Sequence, residues 1–369
     1  MNTASSIQQR ALHWLGRQLF NTDRPETFLD PIAGAINPMW LQAYTPAQVE
    51  QIRQDTHDTR TFVLRPARRW GGFQAGQHVN ICTEINGQRL QRTFSLSCAP
   101  DLWRKHGRIT LTIKRHPGGR LTNHLHDRLS VGDTLGLSEA FGDFLLPEQP
   151  KPLLMIAGGS GITPMLSQLE SLAADHRESP VTLLYYVRSE NDIIAREALE
   201  ALATRWPVLD LQIITTDTSQ PPRYLNDADL AAVPGLLGRE VYLCGPKGLM
   251  DLAISKLHAL GLPEHQRHCT FFAPPSGADL NTGALGGAVT FSHSQRSVTA
   301  QGDANLLDIA EAAGLRPQHG CRMGICHQCS CRKTRGTVIN RLTGKASGPG
   351  NESVQLCVSI PQGDVALDL

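Results

Sequence analysis

Cys321, Cys326, Cys329 and Cys357 are the residues of this 369-residue chain best placed to do chemistry. Three stand in the run GCRMGICHQC, and the fourth follows much later in QLCVSI. The spacing C-x4-C-x2-C, a long gap and a last Cys is one that holds a 2Fe–2S cluster with four thiolates. One tight loop then supplies three ligands and a separate strand supplies the fourth. Gly320 and Gly324 suit a loop whose backbone must come close to inorganic sulfide and take φ > 0. A structural zinc site would more usually arrive as paired C-x2–4-C knuckles, and here the fourth cysteine stands alone. Cys331, two residues past a ligand, reads as a packed thiol rather than a fifth ligand.

Three further motifs carry chemistry. In RTFSL (92–96), strand alternation turns Arg92, Phe94 and Leu96 to one side and Thr93 and Ser95 to the other. Such a strand can lay a hydroxyl against a planar ring while a cation reaches toward phosphate. GGRLTNHL (118–125) places Gly118, Gly119, Leu121 and Thr122 at a helix start, where free N–H groups and the positive dipole end attract phosphate. GGSGITP (158–164) follows a buried strand. Pro164 stands where G-x-G-x-x-G would need glycine, but Gly158, Gly159 and Gly161 let the backbone approach a pyrophosphate. Thr163 as cap and Pro164 at the first helical position would start the helix.

RTFSL resembles the R-x-[YF]-[ST]-L flavin motif of the ferredoxin–NADP reductase family, and GGRLTNHL its second flavin element. GGSGITP is similar to that family's G-x-G-x-T/S-P nicotinamide loop, and YLCGPKGLM (242–250) to its C-G-P segment. The tail resembles a plant-type ferredoxin. The resemblance covers residues 46–369 and implies FAD, with FMN as the alternative, bound through Arg92, Thr93, Phe94, Ser95, Gly118, Gly119, Leu121 and Thr122. It implies a nicotinamide dinucleotide on Gly158, Gly159, Gly161, Thr163, Pro164, Cys244, Gly245 and Pro246, and a cluster on the four cysteines. Ser95 and Cys244 would flank the transfer site, where an electron pair is taken up as a hydride and its electrons are passed on singly to the cluster. Arg188 and Ser189, after the second strand of the nicotinamide domain, could receive a 2′-phosphate, since no carboxylate ends that strand. NADPH is therefore expected, with NADH as the alternative. One departure concerns H-x-E-x-F, which here reads HCTFF (268–272), with Thr270 at the acidic position.

The elements that must position these groups divide the chain into parts. Residues 1–45 form an extension in which Ile7, Ala11, Leu15 and Leu19 recur as on an amphipathic helix. Residues 46–150 read as an antiparallel flavin-binding β-barrel, with TRTFVLRP, QHVNICTEI, LQRTFSLS and RITLTIKR as strands and one short helix. Asn86-Gly87 marks a hairpin turn. Residues 151–273 alternate strands and helices, which implies an α/β doubly wound nicotinamide domain. Residues 274–286 read as a linker. Residues 287–369 have the α+β layout of a β-grasp 2Fe–2S ferredoxin domain.

Composition narrows the partners. A formal net charge of +1 gives no pull toward nucleic acid. Nine cysteines without a signal-peptide pattern point to a reducing, cytoplasmic setting, and no apolar run is long enough to span a membrane. Arg322, Arg332, Lys333 and Arg335 crowd the cluster region and favour an acceptor with an acidic face. The segment INPMWLQAY resembles the N-P-x-W stretch of bacterial reductases that serve membrane fatty-acid desaturases. That resemblance implies a desaturase or related oxygenase acceptor and a peripheral place at the membrane through it. The reductases of soluble aromatic-ring or acyl-CoA oxygenases share the layout, and a non-enzymatic flavin/iron–sulfur redox sensor is the reading from another class.

Overall fold

The computed structural model describes residues 44–85, 88–217, 222–272, 285–302, 304–315, 317, 324, 329–342 and 344–369. The N-terminal helix, the N-P-x-W stretch, the Asn86-Gly87 turn, most of the 274–286 linker, Cys321 and Cys326 lie outside the described residues.

Six antiparallel strands build the first sheet. They are β1 (Thr45–Thr56), β2 (Thr59–Pro66), β3 (His78–Ile85), β4 (Gln88–Ser95), β5 (Ile109–Lys114) and β6 (Thr134–Leu137), in the order β4-β3-β6-β1-β2-β5. Leu96 bridges to Leu111 and Ser97 N–H donates to Thr110 O, so the end of β4 meets β5 and the sheet closes into a barrel. Val79, Ile81, Leu96, Leu111 and Leu137 fill the interior, drawn from alternate positions of their strands. Two helices belong to this unit rather than the single one expected. The unexpected one, α1 (Pro100–His106), has Pro in its first turn, Asp101 near its start, three basic residues in its last turn, and Gly107 at φ +65° to end it. These are ordinary start and stop signals. The other, α2 (Arg120–Asp127), buries Leu121 and Leu125 against the barrel core.

The second sheet is parallel, in the order β11-β10-β7-β8-β9, from β7 (Leu153–Gly158), β8 (Val181–Val187), β9 (Leu209–Thr215), β10 (Glu240–Cys244) and β11 (Arg267–Thr270). Every residue of β7, β8 and β10 is buried, as expected for strands covered on both faces. The order reverses between β7 and β10, and ligands of such sheets bind outside the strand ends at that point. Both chemistry-bearing loops of this domain leave those two strands. Helix α3 (Ile162–Ala174) follows β7, α4 (Arg196–Arg205) precedes β9, α5 (Asp227–Ala231) precedes β10, and α6 (Lys247–Ala259) follows it.

The third sheet, in the order β13-β12-β16-β14-β15, comprises β12 (Gly286–Phe291), β13 (Arg296–Gln301), β14 (Ser330–Asn340), β15 (Glu352–Gln355) and β16 (Ser359–Leu367). Helix α7 (Leu306–Ala312) buries Leu306, Leu307, Ile309 and Ala310 against it. Its N-terminus is capped by Asn305, whose side chain accepts from Asp308 N–H. β12 runs parallel to β16 while the other pairs are antiparallel, which is the mixed sheet of a β-grasp domain.

Candidate functional site

Val79 and Ile81 of β3 and Leu96, just past β4, point into the barrel core, and Phe94 of β4 packs against it. The opposite face carries His78, Asn80, Thr93 and Ser95, and the register pairs His78 with Ser95 and Asn80 with Thr93. Thr93 Oγ1 donates to Asn80 Oδ1 at 2.7 Å. Three buried polar atoms of this face, His78 Nδ1, Asn80 Nδ2 and Ser95 Oγ, find no hydrogen-bond partner among the described residues. Buried polar groups rarely go unsatisfied, and each such group asks for an explanation. A flat ring with polar edges supplies one, so the face fits a flavin. Arg92 is exposed, with Nη1 donating to Gln91 O. Phe94 is part-buried against the core, which leaves its backbone as the part that could meet a ligand.

At the second flavin element, Gly118 and Gly119 turn the chain and α2 starts at Arg120. Thr122 lies inside the first turn, its hydroxyl donating to Gly119 O at 3.3 Å. The Leu121 side chain is packed in the barrel core, so that residue could offer a phosphate only its N–H.

In the nicotinamide loop the helix begins earlier than the residue types led us to expect. Gly159–Gly161 make one 3-10 turn and α3 starts at Ile162, with Gly161 in the capping position. Thr163 is not the cap: its hydroxyl donates back to Ser160 O at 3.0 Å. Pro164 then falls in the first turn, where its missing N–H costs nothing. A Cβ on Gly161 would stand 2.0 Å from Cys244 O, so this loop and the C-G-P segment pack backbone to backbone. Cys244 is wholly buried at the end of β10, and burial pushes its thiol well above the ordinary range. It is therefore a small apolar neighbour and not a thiolate nucleophile. Pro246 caps α6, and Gly245 lies against Gly158.

Arg188 is exposed beyond β8. Ser189 is less available than its type implies, since both its N–H and its hydroxyl donate to Asp192 Oδ2, at 3.0 and 2.7 Å. Asp192 supplies a carboxylate close to the strand end, but this one is engaged in closing its own turn.

The residue that sequence reasoning missed is His78. Its Nε2 lies 3.4 Å from Thr270 Oγ1, across the junction between barrel and parallel sheet. Thr270 pairs in register with Cys244. His78 and Thr270 thereby bring Ser95 and Cys244 to the two sides of one junction. Burial pushes His78 down to about 4, against the opposing pull of Asp143 and of its contact with Phe141 O, so its ring is neutral at ordinary pH.

In the third domain, Cys329 Sγ and Cys357 Sγ stand 3.2 Å apart, and Gly324 N–H donates to Cys357 Sγ at 3.3 Å. Gly324 has φ +76°, and a Cβ there would meet Leu342 at 2.6 Å. Two convergent sulfurs with a backbone donor fit an iron–sulfur centre. Cys331 packs in the domain core with its thiol near Asp368 O and Arg332 O, and burial raises its pKa. Lys333 corrects an expectation. It is fully buried, and its ammonium donates to Gly348 O and Gly350 O, so it braces a loop and presents no charge to a partner. Arg332 and Arg335 are exposed.

With this geometry in view, comparison with known proteins is direct. Residues 46–145 match the oxidoreductase FAD-binding domain, 155–254 the oxidoreductase NAD-binding domain, and 289–362 the 2Fe-2S iron-sulfur cluster binding domain. The chain is 31% identical over 344 residues to a NADPH oxidoreductase of Mycobacterium tuberculosis, covering 90% of this chain and 86% of that one. It belongs to the family of FAD- and NAD(P)H-dependent reductases that carry a 2Fe–2S ferredoxin domain at the C-terminal end. A glycine betaine monooxygenase reductase subunit of Chromohalobacter salexigens is 28% identical over 93% of this chain and 99% of its own. A solved phthalate dioxygenase reductase shares the fold, with a TM-score of 0.61 and 23% identity over 88% of this chain and 98% of that one.

This reductase family member is an oxidoreductase that uses FAD, a nicotinamide dinucleotide and a 2Fe–2S cluster for electron transfer. When bound, these groups supply hydride acceptance and one-electron carriage. The protein's own residues supply binding and orientation. No helix among the described residues is long and apolar enough to cross a membrane.

Proposed function

We propose that the protein draws electrons from NADPH through FAD and its 2Fe–2S cluster and delivers them to an oxygenase-type partner. The observation that carries the reading is the contact of His78, the register partner of Ser95, with Thr270, the register partner of Cys244, across the junction of the two domains. Hydride transfer needs reacting atoms held at ~3–3.5 Å, which a junction of buried strand ends can secure. Ser95 is assigned to the flavin's reactive edge, with Thr93 and the 92–96 backbone beside it. The start of α2 is assigned to pyrophosphate. Gly158, Gly159, Gly161 and the Cys244–Pro246 segment are assigned to the dinucleotide. Cys321, Cys326, Cys329 and Cys357 are assigned to the cluster. Arg188 is the residue we assign to a 2′-phosphate. The name of the mycobacterial relative agrees with NADPH as donor.

For the acceptor, the coarse reading is an oxygenase, as the name of the glycine betaine monooxygenase subunit has it for that protein. The finer reading is a membrane fatty-acid desaturase, favoured by the N-P-x-W segment at 37–40. That would bring the protein to the membrane face through its partner. Anaerobic mixing with NADPH should bleach the flavin rapidly, and Ser95→Val should slow bleaching while flavin stays bound; an unchanged rate removes Ser95 from this role. Electron delivery to a desaturase, but not to a soluble oxygenase component, would support the finer reading. Rapid cytochrome c reduction with NADPH separates the enzyme from a redox sensor, which would not turn over.

A further inference from the structure

His78 occupies a position that nothing in the barrel itself requires. It sits on the outward face of β3, is 2% exposed, and stacks on Phe141 at a centroid distance of 6.3 Å. A barrel strand that needed only packing there would carry an aliphatic side chain. Instead a ring with two polar nitrogens is buried. One nitrogen reaches Thr270 of the other domain, while the other has the Phe141 backbone near it but makes no well-formed hydrogen bond among the described residues. Thr270 is equally odd at 4% exposed, on a short edge strand whose register places it beside Cys244. Burying these groups carries a desolvation cost that a hydrogen bond only partly offsets. The pair joins residues 192 positions apart, between β3, the neighbour of the strand that carries Thr93 and Ser95, and β11, the neighbour of the strand that ends at Cys244.

From this we infer that His78 and Thr270 form a positioning pair, which sets the approach of the Cys244 strand end to the Ser95 strand during hydride transfer. The inference rests on the function proposed above. The pair does the alignment through a hydroxyl and an imidazole, at the position where the family resemblance led us to expect a carboxylate. The groups facing His78 are few. Ser95 comes from β4, Thr270 from β11, Phe141 from the segment after β6, and Asp143 is the carboxylate that acts on it through space. The Cys244 thiol, from β10, stays protonated. A neutral aligning pair leaves the hydride step without a titrating group here between pH 5.5 and 8.

The test uses full-length protein loaded with FAD and cluster. Flavin bleaching by NADPH is followed by anaerobic stopped flow, and the visible difference spectrum is recorded on adding NADP+ to the oxidised protein. His78→Leu should lower the limiting bleaching rate about tenfold, a change of about 1.4 kcal/mol in barrier. NADPH affinity should change less than twofold, and the difference spectrum should be lost or altered. His78→Gln, which keeps a polar terminus near the Nε2 position, should restore most of both. Thr270→Val should reproduce the loss, and adding it to His78→Leu should cost nothing more, as expected for partners in one interaction. Thr270→Glu should introduce a pH dependence between 5.5 and 8 that the unaltered protein lacks. In protein labelled with 15N-histidine, the His78 ring should stay neutral to about pH 5, and Thr270→Val should shift its nitrogen signals. The pair is overturned if His78→Leu bleaches at the normal rate with a normal difference spectrum, or if the two losses add. Failure of the unaltered protein to bleach at all would instead overturn the proposed function.

Discussion

The flavin and nicotinamide domains meet in a manner quite different from the ferredoxin domain's contact with its neighbour. At the first boundary, Ser167 Oγ donates to Cys98 O at 2.6 Å, Gln168 Nε2 to Phe144 O at 2.7 Å, and Tyr242 OH to Leu145 O at 2.7 Å. Glu170 accepts from Ala99 N–H at the start of α1, and Thr270 reaches His78. Three of these five contacts come from α3, the helix that begins at the nicotinamide loop, so that helix is tied directly to the barrel. By contrast, a contact made by the third domain among the described residues is the ion pair Lys345–Glu264, at 4.0 Å between exposed side chains. Exposed pairs of this sort contribute ~0–1 kcal/mol. The difference matches the two reactions. A hydride must be handed over between atoms nearly in contact. A single electron needs no such contact, so the domain that carries the cluster is under no such constraint.

The largest expected effect that would sharpen this contrast is in the cluster domain. Cys357→Ser should abolish cluster binding and electron delivery to cytochrome c while flavin bleaching by NADPH stays near normal, as iron content and stopped flow would report. Equal loss of both would show the domains to be interdependent. Next, Gly161→Ala at the tight side places a methyl against Cys244 O. Overpacking of this kind costs roughly 1–3 kcal/mol, so bleaching should slow about tenfold or more with cluster content unchanged. Removing one strut has a smaller effect. Gln168→Ala deletes the bond to Phe144 O and should lower unfolding stability by about 1 kcal/mol, read from denaturant melts.

The smallest effect is a pH dependence at Glu170. Burial raises its pKa above 4.5, outweighing the Ala99 N–H bond and the fields of Arg205 and Arg53. A carboxyl whose folded pKa is raised holds its proton longer in the folded state, so stability falls as pH climbs through that raised value. Glu170→Gln keeps an acceptor for Ala99 N–H without the charge. It should melt higher than the unaltered protein at pH 7–8, and the gain should vanish as pH falls to the ordinary carboxyl range. A gain that grows on acidification would contradict the burial argument.

How much of this was legible in the residues depended on whether the determinant is local. The C-x4-C-x2-C run, GGSGITP and RTFSL are contiguous, and their chemistry is written in a few neighbouring positions. The same holds for the order of three sheets. Helix α1 was also local, with Pro100 and Gly107 framing it, and was overlooked because it is short and sits between strands. Thr163 misled because a Thr-Pro pair looks like a helix start, whereas the close packing of Gly161 on Cys244 pulls the start forward. Lys333 misled because a lysine near other basic residues reads as surface charge, while the loop carbonyls that bind it lie 15 and 17 residues away. The His78–Thr270 contact had no local signature at all. Its partners meet only because two domains dock, and no periodicity in either segment announces it.

The most direct measurement of the central claim is an anaerobic NADPH titration of purified protein, with flavin and iron quantified and the spectrum followed throughout. The account predicts FAD with two irons per flavin, bleaching of the flavin by NADPH, and reduction of the cluster from the same donor. Protein that carries flavin and iron yet shows no bleaching on addition of NADPH would contradict it.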